Sequence, residues 1–187
     1  MVQAIVLLNL ENAKSRLSPF FSLEERRNIV LIMFNHVLSV LKDYRVNVLA
    51  RTHKPSINGL KDTDDINNGI IDMRKRIDDD ILILPCDLPI LRKEDVLKLM
   101  GNYHTLSIAP SQDDGTSGLY LPKGIDFTPM FGKGSFSLHM REAEMKGISL
   151  RTYESENFRD LDTMEDLKWT LAHGGPLELS RYMSSIS

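Results

Sequence analysis

The chain has 187 residues, 42% hydrophobic and 26% charged, with a formal net charge of −3. That is ordinary composition for one soluble domain; it argues against a nucleic-acid coat but leaves room for a local basic pocket. The single cysteine, Cys86, excludes a disulfide framework and a cysteine metal cluster. No apolar run nears the ~20 residues of a membrane span. The opening MVQAIVLLNLEN lacks the basic region and cleavage site of a signal peptide, so a cytoplasmic protein with no membrane and no nucleic-acid partner is expected.

Residues 4–8 are a continuous apolar run, the pattern of a strand covered on both faces. Ser22-Leu-Glu-Glu25 is a capping-box pattern and opens a long helix over about 24–42. That helix is apolar over much of its surface, so burial is expected. VNVLA (46–50) reads as the second strand. Residues 51–66 are polar and turn-rich, with one short strand near Leu60. NNGIIDMRKR begins with an asparagine cap signal and reads as a short helix. DILILPC (80–86) is the clearest buried strand, and RKEDVLKLMG follows as a helix stopped by Gly101. LSIAP (106–110) is a strand, SQDDGTSG a loop of turn formers, and LYLP a further strand. GSFSLHMREAEMKG has helical spacing and a glycine stop. SLRTY is a strand, and Thr163-Met-Glu-Asp166 caps a helix running to about Ala172. The domain is expected over 1–176, and the polar stretch that follows reads as a loosely held C-terminal tail.

Strands thus alternate with helices from end to end, which predicts an α/β three-layer sandwich on a mainly parallel mixed sheet. Ligands of such sheets lie outside the carboxyl ends of the strands. Several polar segments fall there. Asp87 ends the apolar strand at LPCDLP, where a carboxylate suits Mg²⁺ beside phosphates; an N-cap or turn role is the alternative. Asp160 and Asp162 are two apart, so in an extended segment they point to one side and repel unless a cation lies between them. Lys14 and Arg16 leave the first strand and can meet a triphosphate, Arg with bidentate donors. Thr116 and Ser135, in loops with Gly115, Gly132 and Gly134, can hold a phosphate, Ser135 at a helix N-terminus. His36 reads as a core histidine, whereas His139, one turn after Ser135, can face the Ser135 site.

In order along the chain, AKSRLSP-x-x-S-x-E-E-R, PCDLPIL-x-x-E-D-V, DGTS, FGKGSF-x-x-H and DLDTMEDL resemble the 2-phospho-L-lactate guanylyltransferases, over about residues 4–176. The resemblance implies a Rossmann-like nucleotide-diphospho-sugar transferase fold. It implies transfer of GMP from GTP to 2-phospho-L-lactate, or to phosphoenolpyruvate, in coenzyme F-420 biosynthesis, and it is compatible with a homodimer. It assigns catalysis to Lys14, Arg16 and Asp87, and Mg²⁺ to Asp87 with Asp160 or Asp162. Nucleotide binding falls to Lys14, Ser15, Arg16, Asp87 and, through a faint echo of the base-side segment in NNGIID, Asn68. The acceptor's phosphate falls to Thr116, Gly132 and Ser135. One departure stands out: Asn9 ends the first strand where the family usually carries Lys. The same residues would also serve a related cytidylyl- or molybdopterin-type nucleotidyltransferase, or a non-catalytic nucleotide-binding protein.

Overall fold

A computed structural model describes residues 1–51, 60–62 and 65–186. The strands are β1 (Val2–Asn9), β2 (Arg45–Arg51), β3 (Leu60–Asp62), β4 (Asp80–Pro85), β5 (Leu106–Pro110), β6 (Thr116–Leu121) and β7 (Leu150–Thr152). The helices are α1 (Leu23–Val40), α2 (Ile66–Arg74), α3 (Lys93–Met100), α4 (Ser135–Met145), α5 (Met164–Ala172) and α6 (Leu177–Ile186). Among the described residues the sheet has seven strands in the order β3-β2-β1-β4-β6-β5-β7. β6 alone of these runs antiparallel to its neighbours β4 and β5; the other pairings are parallel.

The apolar runs explain the layering. Successive side chains of a strand point to opposite faces. On β1, Ala4, Val6 and Leu8 join one core with residues of α1, α3, α5 and α6, while Ile5 and Leu7 join a second core with Ile70 of α2 and Ala143 of α4. Leu82 and Leu84 of β4 go to the first core, Ile81 and Ile83 to the second. A central strand that must serve two cores has little room for polar residues, which is why β1 and β4 are unbroken apolar runs over 4–8 and 81–85. Each such side chain is worth about 1.5–3 kcal/mol when fully buried. Gly118 of β6 is a packing requirement: a Cβ there would lie 2.8 Å from both Leu99 of α3 and Phe158.

The expected elements and their order are present, with four corrections. Asp65, not an asparagine, caps α2: its side chain accepts from the Asn67 and Asn68 amides, which places both asparagines inside the helix. Thr116, Ser117 and Gly118 belong to β6 rather than to the preceding loop. His139 does not face the site openly; it is fully buried. The stretch read as a loose tail forms α6, with Leu179 fully buried and Tyr182 and Met183 packed on the first core. Tyr182 accepts a hydrogen bond from Asn28 of α1 at 3.1 Å. Among the described residues no helix is long and apolar enough to cross a membrane.

Candidate active site

The parallel strands β1, β2, β4 and β5 end on one edge of the sheet, and β6, running the other way, begins there. Asn9, Arg51, Asp87 and Thr116 are therefore brought together by topology. Asp87 lies two residues past the end of β4, where Cys86 N–H donates to Leu7 C=O and Leu161 N–H donates to Asp87 C=O. The second bond ties the 160–162 segment to the end of β4. It brings Asp160 and Asp162 beside Asp87, although the sequence separates them by more than seventy positions.

The loop after β1 reaches the same place from the other side. Two arginines on α1 fix its backbone: Arg26 donates to Ala13 C=O at 2.6 Å and Arg27 to Leu10 C=O at 2.9 Å. Lys14 sits there in the left-handed region, at φ 45°, a conformation that costs a non-glycine residue of order 1–3 kcal/mol. Its side chain is only 7% exposed, and Nζ lies 2.5 Å from Asp87 and 2.7 Å from Asp162. Burial acts to lower the ammonium, but the charges and hydrogen bonds of the two carboxylates outweigh it and hold Lys14 above its ordinary value. Arg16 is exposed; it bonds Asp113 at 2.9 Å and lies 3.8 Å from Asp162. Both cations of the first loop are thus engaged by carboxylates, a pairing that the local sequence did not suggest.

Two cavities flank Asp87. The first, about 330 Å³, is lined by the first loop, including Asn9, Lys14, Ser15 and Arg16, and by Asp87 and Asp162. The second, about 590 Å³, is lined by Arg51, Asn67, Thr116, Gly132, Ser135 and Asp160, among others, and again by Asp87. Thr116, Gly132 and Ser135 are therefore together, as expected. Asn68 is not: it is exposed, bonds Asp65, and lines neither cavity. One residue earlier, Asn67 lines the second cavity and holds Phe131 by both its N–H (2.7 Å) and its C=O (3.0 Å), fixing the chain just ahead of Gly132. Gly132 has φ 137°, which a side chain rarely adopts. Asn67 and Arg51 are the site residues that sequence reasoning missed. For Asn67 the signal was present, in an aspartate two residues before it that caps the helix two positions earlier.

The donors here fit a hard dication. Asp87, Asp160 and Asp162 offer only carboxylate oxygens, and Asp87 Oδ1 is buried with no hydrogen-bond partner. Burial, reinforced by the charges of Asp87 and Asp162, pushes Asp160 up to about 6, the mark of a cluster short of positive charge. Among the described residues no three such side chains already converge on one point. The arrangement suits an ion held by one or two carboxylates beside phosphate oxygens rather than a complete protein cage.

The sequence family described as "Guanylyl transferase CofC like" matches residues 2–187. The chain belongs to this family. It is 34% identical to a 2-phospho-L-lactate guanylyltransferase of Methanocaldococcus jannaschii, over 95% of this chain and 85% of that protein. It is 31% identical to a phosphoenolpyruvate guanylyltransferase of Roseiflexus castenholzii, over 89% of this chain and 85% of that protein. Its fold is that of a nucleotidyl transferase of Methanothermobacter thermautotrophicus, with a TM-score of 0.64 at 14% identity, covering 92% of this chain and 97% of that one. In this CofC-like chain the segments that carried the resemblance are the ones that form the walls of the two cavities: the first loop, the end of β4, the start of β6, the turn into α4 and the 160–162 segment.

Proposed function

We propose that this protein transfers GMP from GTP to the phosphate of a small phosphorylated carboxylic acid, 2-phospho-L-lactate or phosphoenolpyruvate, releasing pyrophosphate, as a step towards coenzyme F-420. The observation that carries the reading is the position of Asp87 in the shared wall of two cavities. Two substrates must meet at one phosphorus atom, and a carboxylate lining both spaces stands where they meet.

In this reading the triphosphate lies along the first loop, near Lys14, Ser15 and Arg16, and the acceptor's phosphate lies near Thr116, Gly132 and Ser135. An oxygen of that phosphate attacks the α-phosphorus in line. One P–O bond forms as the bond to the β-phosphate oxygen breaks, and the electron pair leaves with pyrophosphate. A phosphate dianion is already a nucleophile at neutral pH, so no general base is required. The protein's task is positioning and charge neutralisation. Asp87, with Asp160 and Asp162, would hold Mg²⁺, which when bound neutralises developing phosphate charge. Lys14 offsets the repulsion between Asp87 and Asp162, and Arg16 supplies a second cation at the open side of the first cavity.

The test is product identification by mass spectrometry after incubation with Mg²⁺, each of the four nucleoside triphosphates, and each acid in turn. A guanylated diphosphate of one acid, formed from GTP in preference to the other three, is expected. Pyrophosphate release from none of the combinations, with nucleotide still bound, would refute the reading in favour of a non-catalytic binder.

A further inference from the structure

His139 lies behind the second cavity in a setting that fixes its protons. It is fully buried, and its ring centroid lies 5.5 Å from those of both Phe127 and Phe131. The backbone N–H of Met130 donates to Nε2 at 2.8 Å. A backbone amide can only donate, so Nε2 is the acceptor nitrogen and carries no hydrogen. Burial, only partly offset by the nearby Glu142 charge, brings the imidazole down to about 4, so the ring is neutral at physiological pH. A neutral ring with a bare Nε2 carries its hydrogen on Nδ1. Nδ1 lies 2.9 Å from Thr116 Oγ1, and this bond therefore runs from histidine to threonine. Ser135 Oγ lies 3.2 Å from the same oxygen, in a hydroxyl–hydroxyl bond that either partner can donate.

A threonine oxygen has two lone pairs and one proton. His139 takes one of the lone pairs, so Thr116 cannot donate back to the ring. The two hydroxyls of Thr116 and Ser135 share one bond and hold two protons, so one proton is left over whichever of them donates, and both residues line the second cavity with Gly132. We propose that His139 is a positioning residue that, by donating to Thr116, makes the Thr116–Ser135 hydroxyl pair a donor into the second cavity, so that this pocket selects an anionic oxygen of the acceptor. The relay Met130 N–H to His139 to Thr116 runs in one direction only, and each link follows from the one before. A histidine that merely tied the 127–131 segment to the sheet would need the Met130 bond alone. Because it concerns which acceptor oxygens the second cavity takes, the inference rests on the transfer reading above.

The test uses the intact protein and three substitutions. His139→Gln can keep an acceptor for Met130 but has no donor at the Nδ1 position. His139→Asn keeps a donor there. Thr116→Val removes the hydroxyl. His139→Gln is expected to raise KM for phosphoenolpyruvate and 2-phospho-L-lactate about tenfold, the size of about one hydrogen bond, while KM for GTP is unchanged. His139→Asn is expected to recover most of that loss. His139→Gln added to Thr116→Val should have no further effect, because its route of action is already gone. Equal rises in both KM values, or additive effects in the double variant, would overturn the proposal. Nitrogen-15 NMR of the wild-type imidazole supplies a readout independent of turnover. It is expected to show the Nδ1–H tautomer at neutral pH and a shift of that resonance when phosphoenolpyruvate is added. An Nε2–H tautomer, an imidazolium, or a resonance indifferent to the acid would overturn the proposal. If the wild type turns over neither acid, the transfer reading fails, and the NMR result alone decides the role of His139.

Discussion

Replacing Lys14 with methionine tests the electrostatic core of the site. The substitution removes an ammonium that is 7% exposed and bonded to two carboxylates, and it leaves Asp87, Asp160 and Asp162 with no cation between them. Stripping one partner from a fully buried pair costs about 3–5 kcal/mol, because the other charge stays behind unpaired. The Asp87 side chain is 22% exposed and Asp162 36%. Water can reach the second of these, so its share falls towards the small values of surface pairs. A net destabilisation of roughly 2–4 kcal/mol follows, which for a chain of this size lowers Tm by roughly 5–12 °C.

Thermal scans in a chelator measure that loss, and scans with added Mg²⁺ measure its reversal. A dication entering a carboxylate cluster that has lost its buried cation and keeps only the exposed Arg16 nearby should raise the Tm of the variant more than that of the wild type. GMP transfer should fall by at least about 10²-fold, as expected when a preorganised cation is removed from the reacting phosphates. A variant whose Tm in chelator lies within about 2 °C of wild type would refute the claim that Lys14 neutralises this cluster. An equal Mg²⁺ effect on both proteins would refute the claim that these carboxylates receive the ion.

Other consequences are simpler. Asp87→Asn should abolish transfer, by on the order of 10³-fold or more, while changing stability by under about 1 kcal/mol, since Lys14 retains Asp162; near-wild-type turnover would remove Asp87 from the reaction. Asp160 is raised from 3.8 to about 6 in the folded protein, so the folded state holds its proton longer than the unfolded chain. Metal-free stability should therefore fall as pH rises from about 4 to 6, by up to about 3 kcal/mol, and Asp160→Asn should flatten that slope in denaturant titrations. Leu179→Ala should cost about 2–4 kcal/mol in the same titrations with both KM values unchanged, because α6 packs on the core and lies away from the cavities.

How the sequence disclosed these features depended on the range of the interactions involved. β1 and β4 were legible because each must fill two cores, and an unbroken apolar run has few other readings. The caps of α1 and α5 were legible because a capping box is closed within four residues, at Ser22–Glu25 and Thr163–Asp166. The α6 pattern was also present, in Leu179, Tyr182 and Met183 at helical spacing, but a short polar segment shows no apolar face until the surface that buries it is known. Thr116 was misread as loop because DGTSG is made of turn formers, and β6 begins inside that run. Asn68 and Asn67 differ by one position, which on a helix is a rotation of about 100°, enough to turn one towards the cavity and the other to solvent.

The least legible fact was the destination of Lys14. The first loop showed two cations and nothing within it to pair them. Their partners come from the end of β4 and from the 160–162 segment, positions joined only by the strand order and by the Leu161 to Asp87 backbone bond. Long-range pairing of this kind has no local signature. The pairing of Asp160 with Asp162 called for a positive group nearby, and the structure supplies one from within the chain to Asp162, through Lys14, while Asp160 stays short of positive charge.

The same reasoning bears on Asn9. The resemblance places a lysine there, and its loss reads in the sequence as a missing cation. In the sheet, Asn9 of β1 is paired in register with Arg51 of β2, so a guanidinium lies one strand away at the same edge. Neighbouring strands are only about 4.8 Å apart, well within the reach of an arginine. Arg51 lines the second cavity, is held by Glu11 at 2.7 Å, and keeps a buried Nε with no hydrogen-bond partner. This edge of the sheet therefore keeps a positive charge one strand from Asn9, in the wall of the second cavity. A fork-shaped guanidinium also matches a carboxylate or phosphate by two parallel bonds, which an ammonium cannot do. The Asn9–Arg51 rung thus places a fork-shaped cation, not an ammonium, at the edge of the sheet beside the second cavity.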